Sequence, residues 1–181
     1  MAGDPVRREF GPVVIECVQG DITNQPDVDA VVNAANAELA PGGGVAGAIH
    51  RVAGPGLYEE CRPLALIRTG QAVITSGHGL PSAWCIHTLG PVYDASSDPA
   101  AELASCYREM LDRAEGRELR SLATPAISTG IFGYPVEEAA DVALQTIAAR
   151  APGLRTVRLV RFVLWGEIDH DAHVSVLEKI A

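Results

Sequence analysis

The sequence predicts a layered α/β/α domain, and three observations point to it. Short apolar runs alternate with longer segments of helical period from one end of the chain to the other. Several of the runs are apolar almost throughout, as strands are when helices cover both faces of their sheet. The chain has 181 residues, 48% of them apolar, enough for one domain with a real core. No low-complexity linker or internal repeat divides it, so residues 1–181 read as a single domain.

Taken in order, "VRREF" (6–10) offers an edge strand, and "VVIECV" (13–18) and "DAVVNA" (29–34) are strands. A short helix is expected from about Val45 to Val52, and "GLYEECRPL" also looks helical. "QAVITSG" (71–77) and "WCIHTLG" (84–90) are the next strands. From Pro99 to about Glu115, Leu103, Cys106, Tyr107, Met110, Leu111 and Ala114 fall on one helical face, with Asp98 as cap and Pro99 at the first position. "SLATPAIS" (121–128) is a strand. The helix from Pro135 to about Arg150 has Val136, Ala140, Ala143, Leu144 and Ile147 on one stripe and Glu137 and Glu138 in its first turn. "VRLVRFVLW" (157–165) is the last strand, and a last helix is expected over roughly His173 to Ile180.

Composition excludes several functions. A formal charge of −9 argues against general binding to nucleic acid or to an anionic membrane. No apolar run is long enough to span a bilayer. "MAGDPVRREFGPVV" has charges where a signal peptide needs its apolar core, so a cytoplasmic protein is expected. The four cysteines, Cys17, Cys61, Cys85 and Cys106, form no C-x-x-C pair. No metal site and no cofactor is therefore expected. An anionic small ligand stays open, because backbone N–H groups at a helix N-terminus hold phosphate with few cationic side chains.

"VVNAANAELAPGGGVAGAIHR" (31–51) is where such a ligand would sit. Gly42 to Gly47 match G-x-G-x-x-G, but seven residues, Ala35 to Pro41, separate them from the strand. Glu59 and Glu60, near the distance of the acidic partner, lie in a helical segment rather than at a strand end. The dinucleotide context fails, and with it an oxidoreductase reading; no Gly-Lys-Ser/Thr follows for a P-loop. What remains is a glycine loop free to turn N–H groups toward an anion where a helix begins. "ISTGIFGYP" (127–135) is a second strand–glycine-loop–helix unit, and two such units suit a ligand with two phosphates. Phe132 and Tyr134 either lie against a ribose or base or pack beneath the loop. In "QGDITN" (19–24), Asp21 either accepts from an exocyclic amine or caps a turn. Asn36 suits sugar hydroxyls, while Asn33, at a strand end, either does the same or satisfies backbone.

"GDIT", "VDAVVNAAN", "GGGVAGAIHR", "IHTLGPVY" and "STGIFGYP", in this order and spacing, resemble a macrodomain. The resemblance implies a three-layer α/β/α fold with a mixed sheet of about six or seven strands and a cleft for ADP-ribose. It assigns Asp21 to the adenine amine with Ile22 beside it, and Asn36 to the distal ribose. Gly43, Gly44, Val45, Ala46 and Gly47 would wrap the diphosphate together with Ser128, Thr129, Gly130, Ile131, Phe132, Gly133 and Tyr134, mainly through N–H groups. Phe132 would pack near the distal ribose. Trp165 is either the aromatic that faces adenine or an ordinary core or surface tryptophan.

One departure bears on chemistry. The hydrolase-type branch of the family has a sequence like G-G-G-V-D-G, with the aspartate tied to catalysis, where this chain has Ala46. Another branch uses an early lysine, whereas the only lysine here is Lys179. Asn36, Gly44 and His50 are then the candidate catalytic residues. Either the loops hold a water that the ligand's own diphosphate helps deprotonate, or His50, one turn beyond Ala46 on the same face, serves as base. His50 is otherwise a structural residue, as His87 in its strand is. The expected activity is removal of mono-ADP-ribose from modified macromolecules, protein or nucleic-acid ends or bases, with O-acetyl-ADP-ribose a further substrate. A reader that binds ADP-ribose without chemistry is the alternative.

Overall fold

A computed structural model describes residues 4–181; residues 1–3, the head of the stretch judged unlike a signal peptide, lie outside the described residues. Seven strands form one mixed sheet: β1 (Val6–Phe10), β2 (Val13–Gln19), β3 (Ala30–Ala34), β4 (Ala72–Ser76), β5 (Trp84–Thr88), β6 (Ser121–Thr124) and β7 (Leu159–Leu164). Their order across the sheet is β1-β2-β7-β6-β3-β5-β4. The five central strands run parallel, and β1 and β4 pair antiparallel at the two edges. Five helices cover the faces: α1 (Gly44–Ala53), α2 (Pro55–Cys61), α3 (Pro99–Gly116), α4 (Val136–Arg150) and α5 (Glu167–Lys179).

The parallel strands are apolar on both faces because each face meets helices. Val32, Ile86, Leu122, Val160 and Phe162 join the core under α3, α4 and α5, whereas Val31, Cys85, Ala123 and Val163 join the one under α1 and α2. This alternation follows from the two-residue repeat of a strand. The stripe read on α3 is buried in full, and Asp98 Oδ1 accepts the Ala101 N–H at 3.1 Å as its cap.

Five of the expected elements change their boundaries. The strand expected over 121–128 stops at Thr124, since Pro125 has no N–H to continue the ladder; the rest becomes loop. The strands expected over 71–77, 84–90 and 157–165 are likewise trimmed to 72–76, 84–88 and 159–164. The last helix begins at Glu167 rather than near His173. Its first turn, "EIDH", carries Glu167 and Asp169 beside the positive helix end, a start that the apolar pattern alone does not reveal. These changes bring the loop after β6 and the start of α5 to the carboxyl edge of the parallel strands, where ligands bind in such sheets.

Candidate ligand-binding cleft

A cleft of about 640 Å³ opens at that edge. One wall is the loop after β2, Gly20 to Thr23; a second is one side of α1; the third is the loop after β6, from Pro125 to Gly130. Val163, Leu164, Trp165 and Asp169, from the end of β7 and the start of α5, close it.

The loop after β2 is braced by its own side chains. Asp21 Oδ1 accepts from the Thr23 N–H at 2.9 Å and the Thr23 hydroxyl at 2.7 Å. Gln25 Nε2 donates to the Asp21 carbonyl at 2.9 Å, and Gln25 Oε1 accepts from Arg161 at 3.0 Å. Arg161 also holds Asp27 with two bonds of 2.8 Å and the buried Glu16 at 2.5 Å. Asp21 thus does cap a turn, and it lines the cleft as well, with Ile22 beside it.

At the start of α1, no side chain caps the helix, and the N–H groups of Gly44, Val45 and Ala46 make no hydrogen bond among the described residues. Gly44 has φ +56, a conformation that glycine adopts without strain. At Gly47 a Cβ would run into the Gly42 carbonyl, so the loop closes tightly on the helix. The Gly47 N–H is already bonded to the Gly43 carbonyl at 3.2 Å. In the loop after β6, the Gly133 and Tyr134 N–H groups close the turn on Gly130 and Ser128, at 3.0 and 2.9 Å. The expected wrap by every residue of both loops is corrected accordingly. Gly47, Gly133 and Tyr134 spend their N–H groups internally, and the free donors are those of Gly43, Gly44, Val45, Ala46, Ser128, Thr129, Gly130, Ile131 and Phe132. Gly44, Val45, Thr129 and Gly130 line one cleft.

The aromatic alternatives separate. Tyr134 is 3% exposed and packs 4.8 Å from the Tyr93 ring, so it lies beneath the loop. Phe132 is half-buried and stands outside the cleft lining. Trp165 is 79% exposed and lines the cleft, which excludes a core role. Ile131 is exposed at the loop tip, and Ser128 is buried with φ +68.

Asn36 folds its amide back onto its own loop. Its Oδ1 accepts the Ala40 N–H and its Nδ2 donates to the Ala40 carbonyl, both at 2.9 Å. Asn36 therefore crowds Gly42, where a Cβ would stand 3.2 Å from its Nδ2, and it is not part of the cleft lining. Asn33 is buried and bonds His87 at 3.0 Å, with Thr75 at 2.9 Å on the other ring nitrogen. Burial, with His50 nearby, holds the His87 imidazole down at about 3. Both are structural.

His50 is corrected as a candidate base. It does share a face with Ala46, but that face, with Ile49 and Ala53, is the buried one. The cleft is lined by the other side of α1: Gly44, Val45, Ala48, Arg51 and Val52. His50 is 6% exposed, neither ring nitrogen has a partner, and burial lowers its pKa. The spacing of Gly44, Ala48, Arg51 and Val52 was the sequence feature that marked the cleft side, one turn at a time from the loop. Asp169 lies in the polar first turn of α5, ahead of the helix that the sequence pattern predicts.

All four cysteines are free and buried, and burial raises Cys17 to about 12 and Cys61 and Cys106 to about 11, so none is a ready nucleophile. Among the described residues, no group of three His, Cys, Asp or Glu side chains is placed to hold a metal ion. No helix there is long and apolar enough to cross a membrane. Glu60 lies in α2 and bonds the Ser76 N–H at 2.9 Å, so the dinucleotide motif lacks its acidic partner in the structure too.

The model of the macro domain family matches residues 32–143. A macro domain-containing protein of Chlorobaculum tepidum is 47% identical over 166 residues, 91% of this chain and 96% of that protein. The ADP-ribose glycohydrolase MACROD1 of Bos taurus is 53% identical over 135 residues, 74% of this chain but 41% of that longer protein. Among solved structures, the Oceanobacillus iheyensis macrodomain with ADP superposes with a TM-score of 0.92 at 40% identity, covering 96% of this chain and 95% of that one. The Trypanosoma brucei macrodomain in complex with ADP-ribose gives 0.83 at 35% identity, over 89% and 68%.

Proposed function

Because the chain belongs to the macro domain family, we propose that it binds ADP-ribose in the cleft and hydrolyses mono-ADP-ribose from modified macromolecules. The observation that carries the binding is the meeting of two sets of unpartnered N–H groups, those of α1 and those of the loop after β6, on one cleft. Such donors suit a diphosphate, and the opening end of α1 adds its positive dipole. Asp21 is the acceptor for the adenine amine, and the exposed Trp165 is the surface for the base. Solved relatives named with ADP or ADP-ribose support this reading, and so does a relative named as an ADP-ribose glycohydrolase.

For the chemistry, no side chain of α1 that reaches the cleft is a base. Ala46 has no proton acceptor, and His50 points into the core. The reaction is then hydrolysis by a positioned water. Its oxygen attacks C1″ of the distal ribose, the bond from C1″ to the macromolecule breaks, and the water's proton passes to an oxygen of the ligand's diphosphate. The chain's part is to fix the diphosphate and the ribose, which supplies much of a barrier reduction without a dedicated base. O-acetyl-ADP-ribose would use the same cleft, with the water attacking the acetyl carbonyl and the ribose oxygen leaving, rather than attacking C1″. The absent carboxylate at position 46 favours a second reading, an ADP-ribose reader without turnover.

Calorimetry with ADP-ribose, and release of ADP-ribose from singly modified substrates of defined linkage, test the two parts separately. Binding with release is the expected result. Binding with no release from any linkage would establish the reader, and no binding would overturn both readings.

A further inference from the structure

We propose that Asp169 recognises the adenosine-side ribose and that through it the cleft accepts ADP-ribose and rejects its 2′-phosphorylated form. This rests on the ADP-ribose reading above. The cleft has two unlike ends. One presents the free N–H groups of α1 and the loop after β6, and the other presents two carboxylates, Asp21 and Asp169. Those two follow neighbouring parallel strands, β2 and β7, paired at Gln19 and Leu164, so they stand at the same edge.

The two carboxylates differ in what they already hold. Asp21 Oδ1 accepts twice from Thr23. The Asp169 carboxylate accepts no hydrogen bond among the described residues, and its Oδ1 is shielded from solvent without a partner. Its Oδ2 lies 3.6 Å from where a Cβ on Gly166 would stand, at the turn that follows Trp165. Asp169 lines the cleft, and the soft two-fold rotation of a carboxylate lets either oxygen turn toward it. Asp169 shares the first turn of α5 with Glu167, and neither caps the helix with a side-chain hydrogen bond.

An ionised carboxylate only accepts, so its partner must donate. The adenosine half of ADP-ribose offers few donors: the exocyclic amine and the ribose hydroxyls. With the amine at Asp21 and the base on Trp165, the hydroxyls are left for Asp169. Its Oδ2 is not shielded in this way and has no partner either, so a hydroxyl donor in the cleft gives the half-buried carboxylate a charge-assisted hydrogen bond that it otherwise lacks. A phosphate ester at the same ribose removes a donor and sets two anions together. Acidic residues discriminate the two forms of a dinucleotide by this logic in another fold. Arg51 is the single cation of the lining, is exposed, and makes no ion pair among the described residues. It is the group a 2′-phosphate would seek, and it defines the opposing outcome.

The test is calorimetric titration of the whole chain with ADP-ribose and with ADP-ribose 2′-phosphate, in the wild type and in Asp169→Asn. The wild type is expected to prefer ADP-ribose by about 30-fold. Asp169→Asn keeps the shape, removes the charge, and should narrow that preference to about threefold, with the melting temperature of the free protein as the control for folding. An unchanged preference in Asp169→Asn overturns the inference. So does a wild type that binds both ligands alike or prefers the phosphorylated one, which would give that end to Arg51 while the ADP-ribose reading stands. Binding of neither ligand overturns that reading and this inference with it.

Discussion

Helix α1 has two sides, and both carry polar groups without partners. On the cleft side these are the N–H groups of its first turn, beside Gly44 and Val45. On the core side it is His50, whose two ring nitrogens bond nothing. The cleft-side groups open onto about 640 Å³ of space, so a ligand can reach them. His50 is sealed beside Ile49 and Ala53, and there the missing bonds are a stability cost of about 1–3 kcal/mol. An unpaired polar group marks a binding site only where it faces a cavity. One turn of helix separates the two cases.

The largest expected effect breaks the cleft side. Gly43 has φ −87 and no neighbour within 4 Å of a built Cβ, so Gly43→Glu fits sterically. A carboxylate there favours the helix dipole and opposes a diphosphate. ADP-ribose affinity should fall on the order of 100-fold while the melting temperature holds or rises. Gly44→Glu is less clean, because φ +56 adds backbone strain. Unchanged affinity in Gly43→Glu would remove the phosphate cradle from α1.

The second effect breaks the core side, through pH. His87 is held down at about 3, against 6.5 for the free side chain, and burial lowers His50 and His173 as well. The unfolded chain takes up protons below 6.5 that the folded chain refuses. Stability is therefore full above that pH and falls as pH drops toward 3, by about 1.4 kcal/mol per pH unit for His87 alone. Urea midpoints measured from pH 7.5 to 4.5, arbitrary steps of about one unit, follow the slope; a flat profile would contradict it.

Two smaller effects sharpen the contrast. Trp165→Ala should weaken ADP-ribose binding about tenfold, as loss of one base stack does, with little change in melting temperature because the ring is 79% exposed. His50→Leu replaces an unsatisfied buried group by an apolar one. It should stabilise the fold by about 1 kcal/mol and leave any ADP-ribose release unchanged, whereas lost release would make His50 part of the chemistry.

Much of this was legible in the sequence for identifiable reasons. The buried stripe of α3 and the doubly apolar central strands follow from periodicity, which burial enforces. The two glycine loops stand out because glycine is needed where the backbone itself does the binding. Three things were hidden. The face of α1 that meets the cleft depends on how the helix sits on the sheet, so the face shared by Ala46 and His50 does not by itself tell cleft from core. Which loop N–H groups are spent, at Gly47, Gly133 and Tyr134, depends on turn closure rather than on residue type. Asp169 belongs to a polar first turn that the apolar repeat does not mark.

The most direct measurement is an amide NMR titration of the ¹⁵N-labelled protein with ADP-ribose. Hydrogen bonds to the diphosphate should shift the amides of Gly44, Val45, Ala46, Gly130, Ile131 and Phe132 most, with smaller changes at Gly47, Gly133 and Tyr134, whose N–H groups are already bonded. The largest shifts falling instead around His50 and His87, with the Gly44 to Ala46 amides unmoved, would contradict the account.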